Sequence, residues 1–190
     1  EIYTLSLHDA LPIFTYSTRA ARWSRSPSTN SKAKDKQTVK EDFIIRIKSR
    51  TEQFDHMQPV RTGEDDRIEI MTYGSLVKKG DTYYITYKET QTIGFEGCTT
   101  TSKIAADGSR VAMLRFGPAN AQLIVERDRR NICYYETEVG SLTLGVTGDG
   151  IECALSEKGG TAAFSYLLDA DDPISIINRN TLEISVQKPN

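Results

Sequence analysis

Histidine is almost missing from this chain: of 190 residues only His8 and His56 carry an imidazole. A serine or cysteine nucleophile activated by histidine needs that ring close by, and His56 stands alone in a polar stretch, where it reads as a solvated loop residue. Cysteine is scarce and odd in number. Cys98, Cys133 and Cys153 lie 35 and 20 residues apart, a spacing unlike the short paired spacings of zinc sites. They are expected to be free core thiols of a protein in a reducing compartment, with neither a disulfide framework nor a metal. Long apolar runs are missing too: no stretch of about 18 apolar residues exists, which excludes a membrane-spanning helix. Helical periodicity is absent from almost the whole chain. The glycine runs at Gly94 to Gly97 and Gly148 to Gly150 therefore open no helix whose N-terminus could cradle a phosphate, and they read as turns. No cofactor is expected.

The formal charge of −2 conceals an uneven distribution. Residues 14–40 hold seven basic residues and one acid, whereas residues 41–190 hold 17 basic and 23 acidic ones, an excess of six acids. That is the opposite sign to the electrostatic footprint of a nucleic-acid binder, and DNA is not an expected partner. Oligomeric state cannot be read from these features.

Residues 1–13, EIYTLSLHDALPI, match codon for codon one reading frame of a common short-read sequencing adapter, so they and His8 are set outside the natural protein. Residues 14–40 are rich in Ser, Thr, Arg and Lys with no sustained apolar period, and read as a disordered basic arm. A chain starting at Val39 is expected to melt at the same temperature as the full chain; a fall of more than a few degrees would show that the arm packs on the domain.

What remains, residues 41–190, alternates with period 2. The clearest stretch is 82–117, where Tyr83, Ile85, Tyr87 and Glu89 fall on one face and Tyr84, Thr86 and Lys88 on the other. Asp107-Gly108 then turns the chain into VAMLRF (111–116), a strong hairpin signal. Before this lie FIIRIKS (43–49) and RIEIMTYG (67–74), with Gly74 read as a bend or bulge. After it come QLIV (122–125), a charged turn, and ICYYET (132–137). SLTLGVT (141–147) and IECALS (151–156) flank Gly148-Asp149-Gly150, expected to be a tight hairpin. TAAFSYLL (161–168) and TLEISV (181–186) complete the set. Short strands joined by tight turns predict an all-β fold, a single antiparallel up-and-down β-barrel of about eight to ten strands, in preference to a sandwich that would need long crossovers.

The order YYITYKET, TIGFEGCTTT, LRFG, CYYETEVGSLTLGV, EKGGTAAFSYLL resembles the bacterial domain-of-unknown-function family 1934, the YwiB-like proteins, over about residues 43–186. This chain departs from the pattern in Cys98 within the Gly-Thr run and in Val139 before Gly140. The resemblance implies a cytoplasmic, calycin-type, lipocalin-like barrel and no established reaction.

Alternation puts two charges on apolar faces: Glu89 with Tyr83, Ile85 and Tyr87, and Arg115 with Val111 and Met113. Such charges are paired, hydrogen-bonded or held at the barrel mouth, unless each stands at a strand end within reach of water. Tyr87, Glu89, Arg115 and Tyr135 are the candidate ligand-binding residues, with Arg115 as the fork for a carboxylate. The acidic trio Asp169, Asp171 and Asp172 lacks the loop of a calcium site and reads as solvated. Three functions stay open. They are a barrel binding a small, partly apolar or anionic ligand without catalysis, a solid barrel that binds protein or RNA by its outer surface, and an enzyme using carboxylates, tyrosines and Arg115.

Overall fold

The computed structural model describes residues 40–55, 58–59, 66–89, 96–137, 140–169 and 176–189. The readings made above for residues 1–39 and for His56, Gly94, Val139, Asp171 and Asp172 lie outside these. Eleven strands follow one another: β1 (Phe43–Asp55), β2 (Gln58–Pro59), β3 (Asp66–Lys79), β4 (Thr82–Lys88), β5 (Thr99–Ala105), β6 (Arg110–Phe116), β7 (Ala121–Glu126), β8 (Arg130–Thr137), β9 (Gly140–Ser156), β10 (Gly159–Asp169) and β11 (Ile176–Gln187). Each strand from β3 onward pairs antiparallel with the next, β1 pairs with β3, and β11 returns to β1 over ten residue pairs from Ile44↔Gln187 to Gln53↔Asn178. The result is a closed ring of ten strands, with β2 a short pairing against the end of β1. Closure leaves no edge for strands so rich in β-branched residues to offer a second chain.

Period 2 decides what fills the ring. Tyr83, Ile85 and Tyr87 of β4 are buried, while the residues between them are partly exposed. Val111, Met113 and Arg115 of β6 are likewise buried. Phe164 and Tyr166 of β10 stack with centroids 6.4 Å apart and are among the largest fully buried side chains. All three cysteines are free, Cys98 and Cys133 buried and Cys153 partly so.

Two turn readings need correction. Gly148-Asp149-Gly150 is no hairpin: β9 runs through it as one 17-residue strand. Against β10, Ser165 pairs with Gly150 and Tyr166 with Gly148, so Asp149 is an extra residue, a β-bulge. The extra residue reverses the parity of the inward face, from Leu144 and Val146 before it to Ile151 and Leu155 after it. Gly148 is needed because a Cβ there would strike the carbonyl of Glu126, where the β7 to β8 turn docks and Asp128 N–H donates to the Gly148 carbonyl at 3.2 Å. Gly74, in contrast, holds unbroken register with both neighbours, Phe43 and Tyr87. A side chain there would run into the Thr86 carbonyl and Ile45, so it serves close approach of the β4 backbone.

The ring has a dry end and a polar end. Where β3 turns into β4 and β9 into β10, the inward residues are apolar, among them Tyr83, Ile104, Val111 and Val186. At the opposite end, where β4, β6 and β10 finish and β5, β7 and β11 start, the buried inward residues turn polar: Glu89, Thr100, Arg115, Thr51, Asn178 and Asn180.

Candidate functional site

Strand register assembles the site. Across neighbouring strands Gly74, Tyr87, Thr100, Arg115, Ala121 and Tyr135 stand opposite one another in a single row. Glu89 follows just past β4, fixed by its own N–H donating to the Cys98 carbonyl at 2.9 Å. Residues 28 positions apart in sequence, Tyr87 and Arg115, are thus brought to the same level through Thr100 of β5, the strand between their own.

The two inward charges meet. Arg115 Nε lies 3.6 Å from Glu89 Oε1, with side-chain exposures of 6% and 3%; these values exclude the reading in which each charge escapes to solvent at a strand end. Thr100 Oγ1 donates to Glu89 Oε1 at 2.5 Å. Tyr87 stands opposite Thr100 in the same row, next to the Glu89 and Arg115 charges. Burial pushes the Glu89 carboxyl above the usual carboxylate range, against the lowering by Thr100 and Arg115. Burial, aided by the neighbouring Glu89, also pushes the Tyr87 phenol far up, so it remains a neutral donor. Tyr135 holds its place in the row through Ala121 and Leu142, while its side chain lies outside the described residues.

Facing this cluster is a polar wall that the sequence reading did not single out. In a ring of ten, β11 is five strands from β6 in either direction, so Asn178 and Asn180 stand across the interior from Arg115. Thr51 Oγ1 donates to Asn180 Oδ1 at 2.9 Å. Both amide atoms of Asn178, the Asn180 Nδ2 and the Ser102 Oγ are buried with no partner among the described residues. Each such group left unsatisfied costs about 1–3 kcal/mol. The usable signal was the alternation Asn178, Asn180, Leu182, Ile184, Val186, which continues the inward face of β11 upstream of TLEISV.

A second buried ion pair belongs to the outer wall. Arg130 grips Asp169 with two bonds, Nε to Oδ2 at 2.9 Å and a terminal nitrogen to Oδ1 at 2.6 Å. Asp169 is 3% exposed, so the solvated reading fails for this member of the acidic trio. The pair crosses β9 above Gly145, where any Cβ would collide with both partners. Among the described residues no group of three His, Cys, Asp or Glu side chains is placed to hold a metal, and no helix is long and apolar enough to cross a membrane.

The family model described as "Domain of unknown function (DUF1934)" matches residues 47–184. The crystal structure of the ywiB protein from Bacillus subtilis is similar to this fold with a TM-score of 0.59 and 19% sequence identity, over 80% of this chain and 96% of that one. At that identity the likeness is one of fold. No curated protein matches.

Proposed function

The chain belongs to the family of domains of unknown function DUF1934, and from that premise we propose that its barrel binds a small, partly apolar molecule at the polar end of its interior, without chemistry of its own. The observation that carries this is the buried pair of Arg115 and Glu89 at the polar end of a lumen whose other end is lined by apolar side chains. A buried ion pair contributes little or nothing to stability compared with apolar residues of similar volume. Its place beside Thr100, which donates to Glu89, and beside Tyr87 supports a recognition role, with Arg115 as the anchor for an anionic group and the apolar body of the ligand directed toward the dry end.

Glu89 occupies the position such an anion would need, and its raised proton affinity supplies the exchange. When Glu89 takes up a proton, the Arg115 charge is left for the ligand. Carboxylate binding is therefore coupled to proton uptake, and affinity for benzoate, tested by calorimetry, is expected to rise as pH falls from 8 to 5.5, by up to about tenfold per unit for one linked proton. Benzoate that fails to bind at any pH in this range, or that binds equally at both limits, overturns the reading.

A cytoplasmic location is part of the same proposal, supported by three free thiols of which two are buried. A second reading, a filled barrel binding a protein by its outer wall, draws on exposed Phe116 and Tyr134 at 58% and 65%. An enzyme using carboxylates would need a second acid converging on Glu89. Among the described residues Asp169, the other buried acid, is committed to Arg130 on the outer wall.

A further inference from the structure

We infer that Asn178 and Asn180 form a second recognition pole, one that takes a neutral amide edge: a lactam, imide or carboxamide presenting a donor and an acceptor side by side. The inference rests on the lumen being open to a small molecule, as in the reading above, but on different residues. A carboxamide offers the same pair of groups that such an edge offers, in complementary order, so Asn178 can hold it through two parallel bonds. Both its Nδ2 and its Oδ1 lack a partner among the described residues although the residue is fully buried. Asn180 cannot rotate its amide freely because its oxygen accepts from Thr51, which leaves its nitrogen aimed as a further donor. Ser102, buried on β5 across the ring, adds a hydroxyl with no partner. Beside this pole Tyr166 pairs with Asn180 and Phe164 with Leu182, and these two stacked rings suit a flat ring better than a flexible polar chain. The ligand class that meets both poles is a small planar heterocycle carrying an amide edge and, for Arg115, an anionic substituent.

Three probes separate the poles on the full chain: benzoate, with a carboxylate only; uracil, with amide edges only; and 1,3-dimethyluracil, whose ring has lost its N–H donors. Uracil is expected to bind, followed by saturation-transfer NMR, and 1,3-dimethyluracil to bind at least tenfold more weakly. Asn178→Leu should cut uracil affinity at least tenfold while leaving benzoate unchanged, and it removes buried orphans, so it should fold at least as well as the parent. Arg115→Met/Glu89→Gln should do the converse. Uracil that does not bind, or that binds no better than its dimethyl form, overturns the inference whatever benzoate does. Uracil affinity unmoved by Asn178→Leu overturns it too, and means that water alone satisfies these amides.

Discussion

The Arg115→Met variant is expected to melt on the order of 10 °C below the parent at pH 8, and far closer to it at pH 5. Considered from alternation alone, the substitution looks mild, because methionine keeps an apolar stem. The geometry changes the expectation, since removing the guanidinium leaves the Glu89 carboxylate buried without its cation. Breaking a buried pair in this way costs about 3–5 kcal/mol, and in a domain of this size each kcal/mol shifts the midpoint by roughly 2–4 °C. The sign of the pH dependence follows from Glu89. Its folded-state proton affinity is already raised by burial, and losing Arg115 raises it further. The folded state then binds the proton more tightly than the unfolded one, so stability is retained at low pH and lost as pH rises from the unfolded carboxyl range toward the folded one. Pairing Arg115→Met with Glu89→Gln removes the ionisable group and should flatten the pH profile. Equal midpoints for the parent and the single variant at pH 8 would mean that Glu89 reaches water and that the pair is not buried in solution.

Deleting residues 176–190 is expected to abolish cooperative melting altogether. β11 is the strand that closes the ring, and its loss strips partners from both β10 and β1 along their length. It also removes Leu182, Ile184 and Val186, all nearly fully buried, from the core. Two long edges would then be exposed, each a template for pairing with another chain. Size-exclusion chromatography should show aggregates where the full chain elutes as a discrete species. A truncated chain that still melts in one sharp transition would refute the closure.

The faces of most strands were readable because a single rule, period 2, governs them, and alternation alone put Glu89 and Arg115 on apolar-facing sides without deciding whether the two met. What alternation cannot supply is the level at which distant strands meet, which register and barrel shear decide. Asn178 and Asn180 therefore fell outside the strand read as TLEISV, although they continue its inward series. The bulge at Asp149 passed as a hairpin because Gly-Asp-Gly is the composition of both; only the change of parity from Val146 to Ile151 tells them apart, and it shows once the strand is taken as a whole. Arg130 and Asp169 belong to strands separated by β9, and their pairing depends on the missing side chain of Gly145, a gap that no local pattern announces.

The pairing of β1 with β11 also sets an order on the making of the protein. β1 cannot find one of its two partners until β11, the strand that closes the ring, has been translated. Ile44 waits for Gln187 and Ile45 for Val186. Through synthesis the growing sheet carries Phe43, Ile45 and Ile47 on a face still lacking the far wall of the lumen. Contacts of such large sequence separation make folding slow and leave intermediates prone to association. The barrel therefore closes only after β11 has emerged, and its yield in the cell depends on how well the unclosed sheet is kept from its neighbours during that interval.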